Sequence, residues 1–565
     1  MEKVYDKIRG MQRTDLTDIL LSRRGITESQ KRDFLNPSYE EHLHDPFLMK
    51  DMERACVRIF EATEAKEKIV IFGDYDCDGI PGGVILHDFF KKIKYEHFRN
   101  YVPDRHIEGY GLNKAAIESF QKEGVTLVIT VDLGTTNIEE IALAQGFGID
   151  VIVVDHHLPH GALPKAYAIL NPKQEGDTYP YNMLCGAGLA FKLVQGLIKK
   201  YGEYWNIPTG FEKWLLDMAG LATLSDMVPL TGENRVLAHF GLKVLQKNRR
   251  PGLQKLFKKM NIDARFVSED DITFMVTPRL NAASRMDSPM RAFELLATSD
   301  EVEGGMLADH LAKINDERKM SVVHIMREVK SLLERREDRP VIFIGNPKWR
   351  VGVLGLVASK IAEEYEKPAF VWGLEGAEED SLIKGSCRSD GSVNIVSLMT
   401  AIPEDSLANF GGHELAGGFS VTREKIHFLE EALTEAYGRT RNKNSEQKRP
   451  DELVDATLFL GDVHMDTYRT IEQLSPFGVG NPKPIFLFDN VQVVGVKLFG
   501  KEKNHLELSL VSDEGRTTKA ISFFATPESF KNIPEPGKRI RLIASFDLSR
   551  FAGKTELRLR IVDII

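Results

Sequence analysis

The sequence predicts an α/β protein: two α/β domains joined by a long helix, followed by a C-terminal β-barrel of the OB type. Three observations point there. Short Val/Ile-rich runs alternate with helix-period segments from about residue 52 to 226, and again from 339 to about 440. Between these regions lies a proline-free, densely charged stretch with apolar residues at helical spacing. From about 452 the pattern changes to period two, as in FLFDNVQVVGVKLF, NHLELSLVS and ELRLRIVDI.

Residues 1–45 are polar with short helical patterns and read as an N-terminal extension. The first domain, 46–300, starts with an amphipathic helix through Ile59. Strands at 68–73, 126–131 and 150–154 alternate with helices near 82–92, 114–122 and 137–146. This is a β-α-β-α-β core whose strands are apolar throughout, the pattern of a parallel sheet buried on both faces. Two further helices follow, one with a glycine-rich start (184–200) and one that ends on SDMVPL (212–226). Residues 301–338 read as the long connecting helix. The second α/β domain, 339–440, places PVIFIGN and KPAFVWG as strands around WRVGVLGLVASKIAEEY. RTRNKNSEQKRPDE is a charged linker, and 452–565 is the barrel. Within 495–565, 13 Lys/Arg stand against 9 Asp/Glu, with Phe499, Phe524, Phe546 and Phe551 interleaved. That composition suits a face where cations track phosphates and rings stack on bases; rings that simply fill the barrel are the equal alternative.

The formal net charge of −9 excludes a chain that binds nucleic acid through bulk positive charge, so phosphate contacts must come from local patches or bound metal. The start, MEKVYDKIRGM, lacks a secretory apolar core, and no apolar run is long enough to span a bilayer. A cytoplasmic enzyme without membrane contact is the expectation. Cys56, Cys77, Cys185 and Cys387 lie far apart without CxxC spacing, which argues against a zinc knuckle or disulfide framework. Cys77 reads as a small space-filling residue.

Three strand-like runs stop on acidic residues: KIVIFGDYDCDG, TLVITVDLGTTN and DVIVVDHHLPH. In parallel α/β sheets chemistry sits outside the carboxyl ends of the strands, so Asp74, Asp76, Asp78, Asp132, Asp155, His156 and His157 should meet at one sheet edge. In DYDCDG the carboxylates alternate, and in extended chain they would face one way. Any one of them is as readily a cap or turn residue; the conjunction predicts more. Crowded carboxylates resist ionising unless a cation neutralises them, and oxygen ligation with an imidazole suits magnesium or manganese, here two ions. Phosphoester hydrolysis is the natural reaction. Asp226, closing the 212–226 helix, is a further acidic candidate.

DYDCDG, VDLGTTN, VDHH and SDMVPL, in this order, resemble the four motifs of the DHH phosphoesterase superfamily, and GGHELAGGFS resembles its associated domain. VPDRHIEGYGL, CGAGLAFKL, PRLNAASRMDSP, SCRSDGS and QLSPFGVGNPKPIF further resemble the RecJ family of bacterial single-stranded-DNA exonucleases, over nearly the full chain. The resemblance implies 5′ to 3′ removal of 5′-mononucleotides from single-stranded DNA in recombination and repair, dependent on manganese or magnesium. A helicase and a single-strand-binding protein are the implied partners. Residue by residue, it implies Asp76, Asp78, His156 and Asp226 as metal ligands, Asp132 as the bridging ligand, and His157 at the substrate phosphate. Asp74 and Asp155 are ligands or supports of ligands. Arg105, Tyr110, Arg279, Asn281, Arg285, Arg388 and His413 are implied in substrate binding. Arg279 and Arg285 flank Asn281 in a turn-rich segment, and Arg388 and His413 belong to glycine- and serine-rich loops, where His413 is equally a structural turn residue.

Two rival readings remain. A DHH enzyme for small phosphoesters would need neither barrel nor N-terminal extension. A non-catalytic scaffold would be expected to lose acidic positions, and every one is present here.

Overall fold

The computed structural model describes residues 13–159, 161–375, 382–441, 454–500, 502–512, 515–551 and 554–565. They form two compact units: Pro46–Ser225 with Val244–Glu446, and the described parts of Met1–Asp45, Asp226–Lys243 and Gln447–Ile565.

The larger unit holds two sheets. In the first, β1 (Lys68–Gly73), β2 (Phe98–Tyr101), β3 (Val125–Val131), β4 (Asp150–Val154) and β5 (Ala168–Leu170) are all parallel, in the order β2-β1-β3-β4-β5. One face, with Val70, Phe72, Val128, Val151 and Val153, packs against Ile117, Phe120, Ile141 and Ala144 of the helices Lys114–Glu123 and Ile138–Gly146. On the other, Ile69, Ile71, Ile129 and Ile152 are buried beneath the helices Gly79–Lys92 and Gly186–Tyr201. Apolar strands without alternation follow from this double coverage, each Val or Ile contributing about 1.5–3 kcal/mol of transfer free energy.

The helix Glu301–Leu333 is about 50 Å long at 1.5 Å per residue. Asp300 caps it, accepting hydrogen bonds from the amides of Val302 and Glu303 (both 2.8 Å). The last third of its apolar stripe, Val322, Ile325 and Val329, packs on the second sheet. That sheet comprises β6 (Ile342–Arg350), β7 (Ala369–Glu375), β8 (Ile383–Arg388), β9 (Asn409–Gly412) and β10 (Ala416–Val421), in the order β6-β7-β8-β10-β9. Only β6 and β7 run parallel.

In the smaller unit, β12 (Phe486–Phe499), β13 (His505–Val511), β14 (Thr517–Ser522), β16 (Lys554–Ile564) and β15 (Arg539–Phe551) pair in that order, and β15 pairs back to β12 to close a barrel. The short β11 (Ala456–Leu458) runs parallel to the start of β12. Leu16, Leu20 and Leu21 of the helix Arg13–Arg23, with Phe34 of the helix Glu28–Leu35, join the barrel core of Phe486, Phe488, Leu506, Leu508 and Leu559. The described part of the N-terminal extension is therefore a piece of the barrel's hydrophobic core. Phe546, 2% exposed and edge-on to Phe486 at 5.5 Å, fills the barrel, so the core alternative holds for that ring. The Phe551 side chain lies outside the described residues. Among the described residues no helix is long and apolar enough to cross a membrane.

Candidate metal centre

Three acidic residues each stand one position beyond a strand of the first sheet, and their amides extend the ladder by one rung. Asp74 N–H donates to Val131 O (3.1 Å), Asp132 N–H to Val154 O (2.9 Å) and Asp155 N–H to Leu170 O (3.2 Å). This shared rung lines the carboxylates up at one edge. Asp132 has φ +65°, a left-handed conformation that costs a non-glycine residue about 1 kcal/mol or more and is held by the surrounding pairing.

Asp74 to Asp78 is not extended chain. It bends and turns directly into the helix Gly79–Lys92, with Asp78 at φ −113°, ψ −57°. The same-face alternation expected for DYDCDG is thus corrected: a tight turn gathers these carboxylates, because the helix must start at once to cover the sheet. Asp78 accepts hydrogen bonds from Gly186 N–H (2.6 Å) and Ala187 N–H (2.7 Å), the first amides of the helix Gly186–Tyr201. A Cβ at Gly186 would lie 2.7 Å from Asp132 Cβ, so only glycine lets this helix end approach the acidic edge. Asp76 accepts from the amide of Asp78 (2.8 Å). Asp226 is the first residue after the buried helix Leu216–Ser225, which packs on Gly79–Lys92.

His156 Nε2 lies 3.1 Å from Asp132 Oδ1 and 3.6 Å from Asp78 Oδ2. Asp155 Oδ1 accepts from His157 Nδ1 (2.7 Å) and from the amides of His156 (2.8 Å) and His157 (3.2 Å), and its Oδ2 from Thr135 N–H (2.9 Å). Its carboxylate is saturated within the protein. Tyr110 donates from its hydroxyl to Asp132 O (3.1 Å) and sits 3.3 Å from His157 Nδ1.

The electrostatics sort these groups. Burial, and then the charge of Asp76, push the Asp74 carboxyl well above the usual carboxylate range; burial and Asp78 raise Asp76 in turn. Burial lowers His156 against the pull of Asp78, favouring the neutral imidazole that ligates metals. For Asp155 burial acts upward, but the bond and charge of His157 with the Thr135 bonds hold it below the ordinary value. Burial likewise opposes charge on His157, and Asp155 overrides it, raising the imidazole. Asp155 and His157 thus behave as an ion pair, while Asp74 and Asp76 behave as carboxylates short of a counter-ion.

A divalent cation fits this set. Asp74 Oδ1 is buried with no hydrogen-bond partner among the described residues. Asp74, Asp76 and Asp132 offer ligand atoms within 4.8 Å of one another, and so do Asp132, His156 and His157. Asp132 belongs to both groups. Oxygen donors with an imidazole suit magnesium or manganese.

Beside this edge, where the two sheets' elements meet within the larger unit, lies a group of cations. The guanidinium of Arg105 sits 4.8 Å above the Tyr75 ring. Arg279, Asn281 and Arg285 are on the helix Thr277–Met286, which corrects the turn-rich expectation: Pro278 occupies its first turn, where a missing N–H costs nothing. Arg285 donates from Nη1 to Gly352 O (3.2 Å), and its own carbonyl lies 3.3 Å from His106 Nε2. Burial, then Arg105, Arg318 and Arg388, push Arg285 down to about 9. Arg279 donates to Met275 O (2.7 Å), while its Nε and Asn281 Oδ1 are buried without a partner among the described residues. Arg388 is the last residue of β8 and not a loop residue, as antiparallel pairing with β7 and β10 carries through it; it donates to Cys387 O (2.8 Å). His413 lies exposed in the turn between β9 and β10, its amide donating to Ala416 O (2.7 Å), which is the structural-turn alternative.

The chain matches the DHH family, N-terminal domain over residues 68–223, the DHHA1 domain over 338–438 and the RecJ OB domain over 454–563. It is 33% identical over its full length to the single-stranded-DNA-specific exonuclease RecJ of Bacillus subtilis, covering 69% of that protein. The chain belongs to the RecJ family. The RecJ of Haemophilus influenzae is 29% identical over 92% of this chain and 91% of its own length. The crystal structure of Thermus thermophilus RecJ in complex with manganese superposes with a TM-score of 0.78 at 24% identity, over 97% of this chain and 76% of that one, and shows the same fold. A second exonuclease RecJ structure bound to manganese gives 0.61 at 29% identity, over 69% and 95% of the two chains.

Sequence reasoning for this RecJ-family chain missed several residues. Thr135 anchors Asp155 and accepts from Asn171 Nδ2 (3.0 Å), which also donates to His157 O (2.8 Å). The VDLGTTN and ILNPK segments contain them, but neither carries a charge that would flag it. Arg318 of the long helix adds to the cation group, and nothing in a charge-dense helix distinguishes the one arginine that faces inward.

Proposed function

We propose that this chain is a two-metal exonuclease that removes 5′-mononucleotides from single-stranded DNA in the 5′ to 3′ direction, in recombination and repair. The observation that carries the reading is Asp132, shared by two clusters of ligand atoms at the end of one strand. Asp74, Asp76 and Asp132 would hold one ion; Asp132, His156, Asp78 and Asp226 would hold the other. Divalent cations there supply Lewis acidity to the phosphate and acidify the attacking water. The protein's own contribution is orientation and charge. Asp155, saturated by four donors, is a positioning residue: it commits His157 Nδ1, favours the charged ring and leaves Nε2 for a phosphate oxygen. Tyr110, pushed upward by burial and by Asp132 and Asp155, stays a neutral phenol at the same place.

Arg105, Arg285 and Arg388 are the phosphate-binding cations of this reading, with Arg279 and Asn281 beside them and His413 at an exposed turn. Their mutual repulsion is relieved by an anion, because guanidinium groups keep their protons. An unpaired 5′ end is the substrate, so a helicase and a single-strand-binding protein fit as partners, in the cytoplasm.

Strands labelled at the 5′ end, in a ladder from a few nucleotides upward, test the assignment. Release of labelled mononucleotide from all lengths, only with manganese or magnesium, is expected. Cleavage confined to the shortest members would instead favour a small-phosphoester enzyme.

A further inference from the structure

Arg105 and Tyr110 share one loop, between the end of β2 at Tyr101 and the helix that starts at Lys114. Glycines stand on both sides of Tyr110 in left-handed conformations, Gly109 at φ +84° and Gly111 at φ +88°. Such a loop has wide conformational freedom, so the side chains on it keep their places only if something ties it down. Glu108 supplies the tie. Its Oε1 accepts from the Tyr101 hydroxyl (2.5 Å) and from Asn113 Nδ2 (2.9 Å), and its Oε2 from the amide of Asp104 (2.7 Å). Tyr101 ends the strand and Asn113 caps the helix, accepting from Ala116 N–H (2.8 Å), so one carboxylate bridges both ends of the loop. Asp104 completes the turn. Its Oδ1 accepts from the amides of His106 (2.8 Å) and Ile107 (3.1 Å), and its carbonyl from Glu108 N–H (2.8 Å).

An arginine three residues before a glutamate in a helical turn is a natural ion-pair partner. Here the Arg105 guanidinium stands over the Tyr75 ring instead, and the donors to Glu108 are a hydroxyl and two amides. The carboxylate is committed to the shape of the loop, which leaves Arg105 for an anion. We infer that Glu108 is a positioning residue of the reaction, fixing the turn that aims Arg105 and Tyr110 at the terminal phosphate of the bound strand. A misplacement of about 1 Å in such contacts can cost roughly 100-fold in rate. The inference rests on the proposed single-strand activity and deepens it.

Glu108→Gln in the full chain keeps the side chain's size and turns one acceptor into a donor. Its affinity for a short 5′-phosphorylated strand, measured by fluorescence anisotropy in chelator, should fall roughly tenfold. In a chain that already carries Arg105→Met, adding Glu108→Gln should lower that affinity by less than about twofold, because the two residues act through one contact. Tyr101→Phe, which removes one of the donors, should show the same pattern to a smaller degree. Amide hydrogen exchange across residues 105–111 should quicken in Glu108→Gln while that of β1 and β3 stays the same, and manganese should still raise the melting temperature as in the unsubstituted chain. Equal losses of affinity with and without Arg105, or a lower melting temperature with unchanged affinity, overturn the inference and make Glu108 a purely structural group. Failure of the unsubstituted chain to cleave single strands with manganese would overturn the proposed function instead, and exchange across the loop would still decide whether Glu108 holds it.

Discussion

The acidic edge of the first sheet and the cation group beside it concentrate charge of opposite sign by different means. At the edge, Asp155 is satisfied by amides and by His157 and Asp78 takes two helix amides, while Asp74 and Asp76 are the groups whose charge burial disfavours. In the cation group, Arg285 and Arg388 reach backbone carbonyls, and Arg105, Arg318 and Arg388 act on Arg285 more strongly than the opposing Asp76. Neither region is neutral by itself. On the proposed reading each would be completed by a ligand of the other sign, a metal ion at one and a phosphate at the other, which would relieve the like-charge repulsion.

The largest test of this contrast is Asp132→Ala, which takes away the shared carboxylate. Mononucleotide release should drop by more than about 10³-fold, and the thermal stabilisation that manganese gives the unsubstituted protein should largely disappear. Activity within tenfold of normal would remove Asp132 from the bridging role. On the cationic side, Arg285→Met should weaken binding of 5′-phosphorylated strands by roughly 10- to 100-fold, the worth of a charge-assisted contact. The melting temperature should not fall, because one of four mutually repelling charges is gone. A large loss of stability would mean that the bond to Gly352 is structural.

The smallest effect is expected at Asp155→Asn, where the amide still fills the space: about 10-fold in kcat, with KM little changed. The metal-free protein gives the sign of the pair's pH dependence. Asp155 is depressed, so its contribution to stability is present above its ordinary 3.8 and fades as pH falls through the lower folded value. His157 is raised, so its contribution is present below 6.5 and fades as pH rises through the higher folded value. Stability from the pair should therefore be full between those two pH values, and Asp155→Asn should flatten the slopes on either side of that window. Chemical denaturation across pH in the presence of a chelator measures it.

Much of the site was legible because strand-forming runs and their terminal carboxylates are local signals. The runs ending at Gly73, Val131 and Val154 were readable from Val/Ile content alone, and the parallel edge rule then placed Asp74, Asp132 and Asp155 together. The reading of DYDCDG failed because alternation assumes extended chain, and a helix starting at Gly79 leaves no room for it. PRLNAASRMDSP looked like turns because its prolines bracket it, yet the first proline sits where a helix accepts one. The aromatic residues of the barrel show the same limit. Phe546 lies within β15 and points into the core, whereas Phe524 falls in the turn after β14 and is exposed, a difference that ring content alone does not show.

By itself the sequence determined the α/β character, the barrel, the acidic and imidazole residues at the sheet edge and the family, since periodicity and motif order need only neighbouring residues. Tertiary structure alone decided which carboxylates take protein donors and how many. The amides of Gly186 and Ala187 reach Asp78 across more than a hundred residues, and Thr135 reaches Asp155 across a crossover helix. Whether a buried charge is met by a backbone N–H or left for an ion depends on distances that only the packed chain sets.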